Sequence, residues 1–170
     1  MKIAGIIKDD IADGEGICTS LWVQGCPIRC KGCHNPHTWD FNGGVEMDNK
    51  ELIKILKKYL ASNNIQRNFS VLGGEPLCLE NIGDVSDIIC EIKKEYPDIK
   101  IFIWTGYKIP SEFYHNPGYA YDSLYEILEN ADYIIDSPYE DDKRDITLKW
   151  RGSSNQRIWH KINNEWIQEE

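Results

Sequence analysis

The sequence predicts an α/β fold, an open partial (β/α) barrel built as a single domain over residues 1–170. Short apolar, strand-like runs alternate with segments of helical period. Each of these strands ends in a turn rich in Gly, Asp or Pro. The length of 170 residues falls short of the roughly 250 that a closed eight-fold barrel takes.

Residues 17–24 are rich in β-formers and run straight into a cysteine-bearing loop. A helix follows over 48–60, where Leu52, Ile53, Ile55, Leu56, Tyr59 and Leu60 form one stripe. Asp48 is its N-cap, and Glu51 stands three residues on, as in a capping box. Residues 69–72 read as a buried strand ending at Gly73-Gly74-Glu75-Pro76. A second helix covers 85–96, with Val85, Ile88, Ile89, Ile92 and Tyr96 on one face. The strand at 99–104 ends at Thr105-Gly106-Tyr107. A third helix spans 121–130, and Tyr133-Ile134-Ile135 is a strand ending at Asp136-Ser137-Pro138. The polar run Arg151-Gly152-Ser153-Ser154-Asn155-Gln156-Arg157 then leads to a last strand over 158–162. In a βα series the C-terminal strand ends gather on one face, where ligands bind. The cysteine loop and the turns after these strands are therefore expected to line one site, and the barrel's open side would admit a large substrate such as another protein.

Hydrophobic residues make up 41% of the chain, enough to fold. The net charge of −9 argues against nucleic acid as a main partner, because phosphate binding needs clustered Lys and Arg. No apolar stretch is long enough to span a membrane. The first residues turn acidic at Asp9 and Asp10, too soon for a secretory signal, so a cytoplasmic protein is expected. Of six cysteines, Cys18, Cys78 and Cys90 are dispersed, while Cys26, Cys30 and Cys33 are bunched as C-x3-C-x2-C. In a reducing compartment such bunching reads as metal ligation rather than disulfide pairing.

A four-iron cubane needs one outer ligand per iron, so three thiolates leave one iron open to a small molecule. The competing reading is a structural zinc site, in which His37 joins the three cysteines as a fourth ligand. Gly73 and Gly74 read either as an ordinary loop or as a place where backbone approaches a ligand closely. Glu75 is either a surface carboxylate or an acceptor for an ammonium-type donor.

Taken together, Cys26, Cys30 and Cys33 followed by Gly73-Gly74-Glu75-Pro76 resemble the radical S-adenosylmethionine enzymes. That resemblance implies a [4Fe–4S] cluster on Cys26, Cys30 and Cys33, which are then both metal ligands and catalytic. It implies S-adenosyl-L-methionine on the open iron, cleaved by one electron to methionine and a 5′-deoxyadenosyl radical. The implied cofactor contacts are Gly32, Cys33 and His34 near the adenine, Gly73, Gly74, Glu75 and Pro76 near the methionine amine, and Thr105 and Asp136. Where the family often has an aromatic before the third cysteine, this chain has Gly32, and His34 reads equally as a stacking or a free surface residue.

Four further runs narrow the resemblance: Asp13-Gly14-Glu15-Gly16, residues 33–41, Trp104-Thr105-Gly106-Tyr107, and residues 151–157. Over nearly the whole chain they resemble the activases of anaerobic ribonucleoside-triphosphate reductase. This implies an oxidoreductase that makes a glycyl radical on the large reductase subunit, with reduced flavodoxin or a similar electron donor. The chain departs from the family at Cys18, where an Arg is usual and where a small buried residue at a strand start is expected, and at Ser137, where a Gly is usual. Other short radical enzymes, such as pyruvate formate-lyase activases or carboxy-deazaguanine synthases, should lack the 151–157 run. A non-catalytic zinc or electron-transfer module is the alternative of a different class.

Overall fold

The computed structural model describes residues 1–109 and 121–169. One eight-stranded sheet organises it, from β1 (Lys2–Asp10), β2 (Cys18–Val23), β3 (Val45–Glu46), β4 (Asn68–Gly73), β5 (Ile101–Trp104), β6 (Tyr133–Asp136), β7 (Arg157–Ile162) and β8 (Glu165–Glu169). The spatial order is β3-β1-β2-β4-β5-β6-β7-β8, open at both ends. The central strands β2, β4, β5 and β6 are parallel, and antiparallel strands extend both edges. The α/β expectation is met as an open, mixed sheet with helices in its crossovers.

The helices α1 (Asn49–Leu60), α2 (Ile82–Glu95) and α3 (Tyr121–Asn130) fall where the apolar stripes placed them, α2 starting three residues early. Asp48 caps α1: its Oδ1 accepts from the N–H groups of Lys50 and Glu51 at 2.9 and 3.3 Å. Lys57, Lys58, Lys93 and Lys94 sit in the last turns of α1 and α2, where cations oppose the helix dipole.

Side chains alternate across the sheet, and this alternation positions the site. Leu21, Val23, Phe69, Val71, Ile101, Ile103 and Ile134 pack against Leu52, Leu56, Ile88, Ile89, Ile92 and Ile127 of the helices. The opposite face carries Ser20, Trp22, Ser70, Leu72, Phe102, Trp104, Tyr133 and Ile135. Its lower half is closed by stacked rings: Tyr133 lies 4.8 Å from Phe102 and 4.1 Å from His160, and Trp150 meets Phe102 and Tyr133 edge-on. Its upper half stays open toward the C-terminal ends of the parallel strands. Cys18 is fully buried at the start of β2, as expected of a small residue there.

Candidate cluster and cofactor site

A cavity of about 380 Å³ opens at the C-terminal ends of β2, β4, β5 and β6. Cys26, Cys30 and Cys33 line it together with His34, Gly73, Gly74, Glu75 and Thr105. The four turns singled out in the sequence therefore converge, with Ser137 representing the turn after β6. Gly32, Pro76 and Asp136 do not reach its wall.

The cysteine loop is tied down at both ends. The N–H groups of Gly25 and Cys26 donate to the carbonyls of Thr38 and Trp39 at 2.8 and 3.1 Å, closing the loop on itself. The Gln24 side chain donates to the carbonyls of His37 and Asp40 at 3.1 and 2.7 Å. Buried Asn81 caps nothing with its side chain. Its Nδ2 instead donates to the carbonyls of Gln24 and Glu75, at 3.1 and 3.0 Å, holding the loop against the turn after β4.

That turn sits so close that glycine is required. A Cβ on Gly73, where φ is +107°, would meet Val23 backbone at 2.9 Å, and one on Gly74 would collide with the Gly25 carbonyl. The close approach is thus to the chain's own cysteine loop. Gly74 N–H donates to Val23 and Glu75 N–H to Gly25, each at 2.8 Å.

Glu75 is 1% exposed. Its Oε1 accepts from Leu77 N–H and the Thr105 hydroxyl at 2.9 and 2.7 Å, and its Oε2 from Gly106 N–H at 2.7 Å. Burial outweighs these three bonds and pushes its pKa up to about 7. The carboxyl bolts the turn after β4 to the turn after β5.

Burial also raises the pKa of the Cys26 and Cys30 thiols. Backbone N–H groups of Arg29 and Ile28 favour the Cys26 thiolate, Tyr139 N–H does so for Cys30, and Asn35 N–H donates to Cys33 Sγ at 3.3 Å. A free thiol here resists ionising, whereas a metal displaces the proton and the N–H groups then support the thiolate. Among the described residues, no group of three or more His, Cys, Asp and Glu side chains stands close enough to hold a single ion. His37, the fourth zinc ligand expected on that reading, lines a different cavity. Three thiols spread around one cavity fit a cluster whose irons each take their own ligand, and no fourth cysteine reaches that wall.

Asp136 lies elsewhere for a simple reason. It shares the helix-covered face of β6 with Ile134, where Arg157 donates to both its oxygens at 2.8 and 2.5 Å. Ile109 N–H and Trp159 Nε1 donate to Oδ2 and the Ser137 hydroxyl to Oδ1, so its acceptor sites are filled by the protein.

The polar run at 151–157 forms one wall. Gln156 Oε1 accepts from the N–H groups of Gly152 and Ser153 at 2.8 and 3.2 Å, while its Nε2 donates to the Ser137 carbonyl. Asn155 donates to the Pro138 carbonyl at 2.7 Å. Gly152 faces Tyr139 and His34, whose rings lie 5.1 Å apart. Trp104 Nε1 donates to the Trp150 carbonyl and Trp150 Nε1 to the Gly14 carbonyl, at 2.9 and 3.0 Å.

Sequence reasoning did not select Asp13, Trp22, Trp104, Trp150 or Gln156 as site residues, yet all line the cavity. Asp13 has its pKa pushed up to about 7 by burial and by the neighbouring Asp10 carboxyl. The available signal was alternation: Trp22 is the penultimate residue of β2 and Trp104 the last of β5, both on the face opposite the helices.

Residues 12–159 match the family model for the 4Fe-4S single cluster domain. The anaerobic ribonucleoside-triphosphate reductase-activating protein of Pasteurella multocida is 34% identical over 88% of this chain and 91% of its own length. Its namesake from Enterobacteria phage T4 is 32% identical over 98% of both chains, and that of Escherichia coli K12 is 30% identical over 89% of this chain and 93% of its own. The likeness thus runs through every element that builds the cavity, and the chain belongs to the family of anaerobic ribonucleoside-triphosphate reductase-activating proteins, with a single 4Fe-4S cluster domain.

Proposed function

We propose that this chain is a radical S-adenosylmethionine activase, one radical SAM domain over 1–170 with the open partial barrel of that type, which makes the glycyl radical of the anaerobic ribonucleoside-triphosphate reductase large subunit. The observation that carries this reading is the convergence of three thiols, without a fourth, and the Gly73-Gly74-Glu75 turn on one cavity at the parallel strand ends.

Cys26, Cys30 and Cys33 would hold the [4Fe–4S] cluster, leaving one iron for the amine and carboxylate of S-adenosylmethionine. With the cluster and S-adenosylmethionine held there, the site would supply one-electron cleavage to methionine and 5′-deoxyadenosyl radical chemistry, able to take a hydrogen atom from a glycine Cα. The flanking amides stabilise the glycine radical, so this transfer runs downhill. The chain's own part is to bind, orient and exclude water. Gly74, Glu75 and Thr105 shape the methionine end, His34 and Tyr139 offer ring faces toward the adenine, and the wall formed by Gly152 and Gln156 closes the side. Reduced flavodoxin or a similar carrier supplies the electron, in the cytoplasm. No helix among the described residues is long and apolar enough to cross a membrane.

The test is anaerobic reconstitution with iron and sulfide, addition of S-adenosylmethionine, a reductant and the reductase, and electron paramagnetic resonance. A glycyl doublet on the reductase and release of 5′-deoxyadenosine are expected. An intact cluster with no cleavage would refute the activity, and stoichiometric zinc without iron in the purified protein would refute the cluster.

A further inference from the structure

A second cavity, of about 320 Å³, adjoins the first across Trp22 and Asn35, which line both. Its floor is the middle of β1, Ala4 to Ile7, and His37 stands beside it. Gly5 pairs opposite Trp22 and Ile7 opposite Ser20, so both lie on the cavity-facing side of the sheet. A Cβ on Gly5 would meet nothing within 4 Å, and Ile7 is 44% exposed.

The outer edge of β1 is paired by β3 only at Lys2 and Ile3. Among the described residues no other strand covers it. Main-chain N–H and C=O groups beyond Ile3 therefore point sideways off the open sheet edge, beside a mostly apolar trough on the sheet face that shares Trp22 and Asn35 with the cluster cavity.

On the activase reading, we propose that the glycine-bearing segment of the protein substrate lies extended in this trough, over Gly5 and Ile7, on its way to the cluster cavity. Volume supports this occupant. A cavity of about 380 Å³ is near the lower end of the range for small-molecule sites, so a polypeptide must reach the reacting atom through added space. Chemistry supports it as well. The free strand edge beside the trough can recognise main-chain groups, and the floor at Ala4 and Gly5 leaves room for an extended backbone with small side chains, a glycine above all.

Gly5→Phe tests the path, since it fills the trough where the fold leaves open space, and Gly5→Val is a milder second variant. Each cluster-loaded protein is mixed anaerobically with S-adenosylmethionine and the reductase large subunit, and glycyl spins are counted per 5′-deoxyadenosine released. The ratio is expected to fall about tenfold in Gly5→Phe and less in Gly5→Val. Independently, hydrogen exchange at the amides of Ala4 to Ile7 in the wild-type protein should slow when the reductase is added. A wild-type ratio in Gly5→Phe overturns the path alone, as does exchange that slows with this chain's own concentration and not with the reductase. Wild-type protein that releases 5′-deoxyadenosine yet makes no glycyl radical overturns the activase reading and the path with it.

Discussion

Replacing Glu75 by Gln should change how stability depends on pH. The carboxyl has an ordinary value of 4.5 and a folded value of about 7. Below pH 4.5 both folded and unfolded chains hold this proton, and between that value and about 7 only the folded chain does. Stability from this group is therefore greatest at low pH and is lost as pH rises through the folded value. Between pH 5.5 and 8 the loss is about 2 kcal/mol. Gln retains an oxygen for Leu77 N–H and the Thr105 hydroxyl, but it turns an amide N–H toward Gly106 N–H. That mismatch costs about 1–3 kcal/mol and does not vary with pH. Wild type should thus be the more stable protein at pH 5.5, and its advantage should shrink by about 2 kcal/mol at pH 8. Urea unfolding of the full, cluster-loaded chains under anaerobic conditions measures this, since at a slope of about 2 kcal/mol per molar the gap between midpoints closes by about 1 M. Parallel pH profiles for the two proteins would refute a buried, protonated Glu75.

Arg157→Ala should cost about 3–5 kcal/mol in urea unfolding, because it strips the ion pair from the fully buried Asp136 carboxylate; a loss below about 1 kcal/mol would mean that Ile109, Trp159 and Ser137 suffice. Gly74→Ala should lose about 1–3 kcal/mol and load less iron, because its Cβ displaces the Gly25 carbonyl of the cysteine loop; normal iron content would show that the loop and turn move independently. Cys26→Ala, Cys30→Ala and Cys33→Ala should each abolish S-adenosylmethionine cleavage, while Cys78→Ala and Cys90→Ala retain iron and cleavage; equal loss from the second pair would mean that the ligands are wrongly assigned.

The helices and parallel strands were legible because each carries its period intact. Leu52, Leu56 and Leu60 of α1 repeat every four residues, and all are buried. β1 was not legible, because its two register shifts break the period: Ile3 and Ile6 turn to the core while the adjacent Ile7 is exposed. β3 has two residues and β8 is a polar edge strand, too little pattern to declare either. The three cysteines that line the cavity stood out by their spacing alone, but the residues that shape their loop did not. Gln24, Asn81 and Gln156 look like solvent-facing polar residues in sequence, and only long-range contacts give them their task. Asp136 stands on the helix side with Ile134, paired to Arg157, a placement that alternation along β6 already gives.

Glu75 joins these strands of argument. The resemblance suggested that its carboxylate meets the amine of the cofactor, and its place on the cavity wall agrees with that. Yet the chain already directs three donors at its two oxygens, so most of its acceptor capacity is committed to holding the turns after β4 and β5 together. On the proposed reading, an ammonium group arriving nearby meets chiefly the field of this carboxyl, and a neutral carboxyl has little field to offer. Because burial holds its pKa near 7, an arriving cation favours ionisation with only a modest shift, at a pH where the empty site leaves the group poised. The same three bonds that bind the turns to each other make the carboxylate bearable once it forms. On the proposed reading, Glu75 would serve the fold when neutral and the cofactor when charged, a pair of tasks that a carboxyl can perform and an amide cannot.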